Sequence, residues 1–187
     1  MSGWRRLGVW LCLCGLCACA APASHEEIQA AFNAGVQAYD AGDYKTAYAK
    51  WQSIEDVDLA AMRNLALMLR KGQGVKKDPA AALDLMEEAA DAGLVTAQAD
   101  LGEMLLKGEA GPPNAKAALP WLQSAAQAGH PGAAFNLGKL YEQGNAVPKD
   151  IEAARKLYRQ AADAGMKEAE EALKNLPPAP GPSINGT

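Results

Sequence analysis

The feature that most limits what this chain can become is a repeat of 36 residues. Gly93, Gly129 and Gly165 fall at that interval, and so do Gly72, Gly108 and Gly144. The pairs Ala89-Ala90, Ala125-Ala126 and Ala161-Ala162 keep the same register. Three ladders in one phase require a unit that recurs, and a unit of this length holds two helices and their turns. One such unit cannot bury its own apolar face, so neighbouring units must stack. The expected fold is therefore all-α, a solenoid of helix pairs.

Residues 131–165 show how one unit is built. Ala134, Leu137, Gly138 and Tyr141 follow the i, i+3, i+4, i+7 spacing of an amphipathic first helix. Pro131 suits its first turn, where a missing N–H costs nothing, and Gly144 ends it. Asp150 is placed to cap a second helix. That helix would bury Ala153, Ala154, Leu157, Tyr158, Ala161 and Ala162, and Gly165 would close it. Asp78 and Asn114 stand where Asp150 does in the earlier units. The pairs Leu65-Ala66, Leu101-Gly102 and Leu137-Gly138 align in the first helix, and their small second member allows close helix approach. Leu85-Met86, Trp121-Leu122 and Leu157-Tyr158 align as the large fillers of the second helix. Pro120 breaks the pattern and is expected to kink the second helix of the middle unit.

These units resemble the Sel1-like repeat. The resemblance rests on NLALMLRKGQGVKKDPAAALDLMEEAADAG, DLGEMLLKGEAGPPNAKAALPWLQSAAQAG and NLGKLYEQGNAVPKDIEAARKLYRQAADAG. Leu69 and Leu105 replace the family's Tyr, and the loop Gly-x-Gly becomes Gly108-Glu109-Ala110 and Gly144-Asn145-Ala146. Upstream, FNAGVQAYDAGDYKTAYAKWQSI is similar to a tetratricopeptide unit, with Gly35, Gly42, Tyr44, Ala47 and Trp51 at that family's spacing. The implied architecture is a right-handed superhelix with a tetratricopeptide-like unit at 24–57, three Sel1-like repeats at 58–165 and a capping helix at 166–176. The Pro/Gly-rich run at 177–187 is expected to be disordered.

Residues 1–23 have the layout of an export signal: Arg5 and Arg6, an uncharged stretch from Leu7 to Ala21, then small residues. All four cysteines, Cys12, Cys14, Cys17 and Cys19, lie in this segment, so the repeats must stand on packing without disulfides. Leu16-Cys17-Ala18-Cys19 resembles the lipobox of bacterial lipoproteins, which implies cleavage before Cys19 and a lipid on its sulfur. A cut at the small-x-small site Ala21-Pro22-Ala23 would instead release a soluble protein. Both routes imply export, to the periplasm or to a lipid anchor on the outer membrane.

The sequence is poor in chemistry-bearing residues. It carries 18 basic and 22 acidic side chains, a net charge of −4 without a basic run, which argues against nucleic acid. Of two histidines, His25 follows the signal and His130 suits a helix cap. No His-x-x-x-His, Walker loop or dinucleotide motif is present, and the Cys-x-Cys spacings lie in an apolar export segment that is no place for a stable metal site, so no cofactor, metal or small-molecule substrate is expected. Cysteine-rich exported relatives are linked to β-lactam binding or hydrolysis, but their hallmark is a Cys pair in each repeat. An envelope hydrolase or cell-wall-binding protein is thus the alternative reading. The resemblance favours an adaptor that holds a peptide or protein partner on its concave face and is not an enzyme.

That face should be lined by the first helices, as in related solenoids. Asn64, Asp100 and Asn136 recur there, with Asn33 at the matching place upstream. A carboxamide donates and accepts at once, which suits a peptide backbone. Met68, Met104 and Leu140 are expected to add apolar contact beside them, and Glu103 and Lys139 charge selection. The ladder has a second explanation, in which each rung bonds the adjacent repeat. Trp51 and Trp121 are expected in the interior.

Overall fold

A computed structural model describes residues 24–177. Residues 1–23, where the export signal and Cys19 are expected, and the run from residue 178 lie outside the described residues. The described chain is all-α: α1 (His25–Asp40), α2 (Tyr44–Gln52), α3 (Leu59–Lys71), α4 (Pro79–Asp91), α5 (Val95–Lys107), α6 (Ala115–Gln127), α7 (Pro131–Gln143), α8 (Ile151–Asp163) and α9 (Lys167–Asn175). Each helix packs on the next in chain order, so the pairs α1/α2, α3/α4, α5/α6 and α7/α8 form a stack that α9 closes. No described helix is long and apolar enough to cross a membrane.

Caps fix where each pair begins and ends. The side chains of Asp78, Asn114 and Asp150 accept the backbone N–H groups of Ala81, Ala117 and Ala153 at 3.0, 3.0 and 2.9 Å. These bonds satisfy donors that the first helical turn leaves free. His130 caps α7 in the same way, its Nδ1 accepting from the Ala133 N–H at 3.3 Å. Gly72, Gly108 and Gly144 end the first helices with φ of 73°, 66° and 70°, the left-handed region that glycine adopts at least cost. α6 runs through Pro120 as one helix from Ala115 to Gln127, with Pro120 on its exposed side.

The core runs between the two helices of each pair and on between neighbouring pairs. Met86, Leu122 and Tyr158, one per repeat, are buried almost completely on the second helices. Each enters the gap over the small residue of the facing first helix. A Cβ on Gly102 would stand 2.5 Å from Leu122 Cδ2, and one on Gly138 would stand 2.7 Å from Tyr158 Cε1. The first repeat reaches the same end with Ala66 and Met86 in one cluster. Trp51 is buried, whereas Trp121 is only half-buried at the edge of its cluster. At the far end Leu176, Ala172 and Leu173 cover Tyr158 and Phe135.

Candidate functional site

The first helices bury one stripe and leave another open. On α3 the buried residues are Ala61, Met62, Leu65, Ala66, Met68 and Leu69. What remains includes a stripe of Arg63, Asn64, Leu67, Arg70 and Lys71, at helical spacing and therefore on one face. α5 and α7 approach each other more closely than α1 and α3 do. A cleft opens between α1 and α3 at the N-terminal end.

The four polar rungs do not behave alike. Asp100 accepts a hydrogen bond from Arg63 Nε at 2.6 Å, an ion pair that ties α5 to α3. At this rung, bonding to the adjacent repeat is what the structure contains. Asn33 is exposed and accepts from Gln29 Nε2 of its own helix at 3.1 Å. Asn64 and Asn136 are half-buried residues, and among the described residues no protein group bonds to either side chain. These two can exchange hydrogen bonds with something else.

The methionines expected beside them are corrected by the packing. Met68 and Met104 are each 1% exposed and belong to the core, as does Leu140 at 2%. The rung stands at the edge of the open stripe, and four residues on the helix has turned about 40° further toward its buried side, so an outside molecule finds no surface there. Leu67, three residues after Asn64, faces the open side instead. Its counterparts at the same repeat position are Glu103 and Lys139.

Glu103 belongs to a charged group that spans two repeats. Arg70 Nη2 donates to Glu103 at 3.4 Å, and Lys107 donates to the same carboxylate. Arg70 also makes a two-pronged contact with Glu109 from the loop after α5. Burial pushes the Glu103 carboxyl upward, but the bonds from Lys107 and Arg70 outweigh it and hold the group below the usual carboxylate range. The cations Arg63, Arg70 and Lys107 are thus answered by Asp100, Glu103 and Glu109. Lys139 differs: its ammonium stands 5.8 Å from the centre of the Phe135 ring, and it makes no ion pair among the described residues.

The cleft between α1 and α3 is lined by Val36, Tyr39, Trp51, Asn64 and Leu67 and encloses about 240 Å³. Its floor is held in place. A Cβ at position 35 would stand 2.4 Å from Trp51 Nε1, so Gly35 is what lets the indole seat against α1. That Nε1 donates to the Phe32 carbonyl at 3.3 Å. The Tyr39 ring lies 5.8 Å from Trp51, and its hydroxyl donates to Gln73 Oε1 at 3.0 Å. Sequence reasoning placed Trp51 in the interior and passed over Tyr39 and the arginines. The arginines had a readable signal, because Arg63 and Asp100 lie one repeat plus one residue apart.

The second helices carry a different surface. Gln123, Lys156 and Gln160 stand beside the apolar Tyr141 and Leu157 around a groove of about 350 Å³. One of those amides is already used, since Gln160 Nε2 donates to the Ala126 carbonyl at 2.7 Å. No group of three metal-ligating side chains occurs among the described residues.

Comparison with known proteins accounts for the repeat. The Sel1 repeat matches residues 59–94, 95–130 and 131–166, more than half of the chain. The chain belongs to the Sel1 repeat family. A Sel1 repeat protein from Oxalobacter formigenes is 33% identical with a TM-score of 0.72, over 76% of this chain and 58% of that one. A protective antigen of uropathogenic Escherichia coli is 27% identical with a TM-score of 0.72, over 78% of this chain and 32% of that one. An immunity protein from Pseudomonas aeruginosa is 27% identical with a TM-score of 0.57, over 82% of this chain and 59% of that one. This Sel1 chain therefore spans less than two thirds of the length of each. No match is found among curated proteins. Sel1 repeat proteins are typically protein-interaction scaffolds, and the fold is not typically catalytic.

Proposed function

We propose that this Sel1 repeat protein is an exported adaptor that holds a peptide or protein partner on the face of its first helices, with no chemistry of its own. The observation that carries this reading is the state of Asn64 and Asn136. Both residues are half-buried on the first helices and their carboxamides lack a protein partner, while Asp100 between them is spent on Arg63. An amide that its own fold leaves unbonded on a half-buried residue is suited to an external peptide backbone. The adaptor would work at the cell envelope. The basic and apolar N-terminal segment supports export, and Cys19 would carry the lipid if the lipobox route is used.

Replacing Asn64 and Asn136 together by Ala tests the binding role. The reading expects partner capture to fall at least tenfold while the melting temperature stays within a few degrees. Unchanged capture with a lowered melting temperature would mean the two amides serve the fold. Fatty-acid labelling of the wild type beside Cys19→Ala tests the anchor, and the label should vanish in the variant.

A further inference from the structure

We infer that the occupant of the first-helix face is an extended peptide with an apolar side chain, preferably aromatic, and a carboxylate about five to seven residues away. The inference rests on the adaptor reading and names what that surface would select. The cleft of Val36, Tyr39, Trp51, Asn64 and Leu67 provides the apolar anchor. Its 240 Å³ is below the roughly 300–1,000 Å³ of a site for a drug-sized molecule, and it suits one large side chain. Tyr39 and Trp51 line it with rings held by their own hydrogen bonds, so little order is lost when the cleft fills. Asn64 stands at its edge, where an amide can bond the backbone of the anchoring residue.

Charge on the same face fixes the other end. On α3 and α5 Arg63, Arg70 and Lys107 are each answered by a carboxylate, so a charged side chain above them gains little. Lys139 on α7 is exposed and without a counter-ion, in register with Leu67 two repeats back. A carboxylate complements it. Packed helices lie about 8–10 Å apart, so the path from the cleft to α7 is roughly 20 Å. An extended chain advances about 3.3 Å per residue, which gives the separation stated. Asn136, beside Lys139, bonds the backbone at that end.

The test selects random peptides on immobilised full-length protein and measures the affinity of an enriched, fluorescently labelled peptide. The inference expects an apolar or aromatic residue and an Asp or Glu at the stated separation. Lys139→Glu should then weaken binding about three- to tenfold, less so at high salt, and a peptide with Lys in place of its acid should regain it. Because Lys139 is exposed, the melting temperature should not change, and it is measured alongside. If peptides bind but show no such pairing, or Lys139→Glu leaves affinity unchanged, this inference is overturned and the adaptor reading stands. If binding is lost in Lys156→Glu on α8 and untouched by changes at Asn64 and Lys139, the second-helix groove is the site and both readings fail.

Discussion

Gly102 is where the packing argument makes its sharpest demand. A methyl group there would stand 2.5 and 2.7 Å from two carbons of Leu122, which is itself completely buried. Overpacking of this kind costs about 1–3 kcal/mol. Ala is the better helix former by about 0.8–1.0 kcal/mol, so Gly102→Ala should lose about 1 kcal/mol net. For a chain of this size that is a drop of about 2–4 °C in melting temperature, followed by circular dichroism. The first repeat supplies the remedy, because its counterparts of Gly102 and Leu122 are Ala66 and Met86. The double variant Gly102→Ala, Leu122→Met installs that combination, in which a flexible thioether can move aside. It should be more stable than the sum of its single variants by about 1 kcal/mol, a coupling expected only of residues in contact. If Gly102→Ala instead raises the melting temperature and shows no coupling to position 122, helix propensity governs the site and the close-approach argument is wrong.

Three further outcomes are expected. Ala146 has φ of 63°, a left-handed conformation that costs a non-glycine residue about 1–2 kcal/mol, while glycine loses about 0.4–1 kcal/mol through its freer unfolded chain. Ala146→Gly should therefore raise stability by about 0.5–1 kcal/mol in a urea titration, and no gain would mean the loop relaxes without help. Arg63 and Asp100 are partly exposed, so a double-mutant cycle to Ala should return a coupling of about 0.5–1 kcal/mol that shrinks in high salt. Glu103 is held below its ordinary pKa, so its contribution is complete above the normal carboxyl range and fades as pH falls through the lowered value. Acid melts of Glu103→Gln should be flatter than those of the wild type in that window, and parallel curves would contradict the assignment.

The fold was legible because it depends on residues whose effect is local. Asp78, Asn114 and Asp150 cap helices through bonds three residues long, and Gly72, Gly108 and Gly144 end them through backbone geometry alone. Neither needs knowledge of the rest of the chain. The Ala/Gly positions opposite Met86, Leu122 and Tyr158 were also readable, because the 36-residue phase sets which residues face each other.

The surface was harder to read. The phase placed Asn64, Asp100 and Asn136 together but could not show that Asp100 is claimed by Arg63, a contact set by how one repeat sits on the next. Counting four residues on from each rung put Met68 and Met104 on the open side. A step of three, to Leu67, Glu103 and Lys139, stays there. The cleft was invisible because it lies where the α1/α2 pair meets the first Sel1 repeat, and the 36-residue period does not extend across that junction.

The most direct measurement places a photo-crosslinking side chain at single positions of the full chain and exposes each variant to its partners in envelope extract. The account predicts adducts from Leu67, Asn136 and Lys139 on the first helices, and none from Lys116, Lys156 or Arg159 on the second. Adducts confined to the second-helix positions, or spread evenly over both sets, would contradict it.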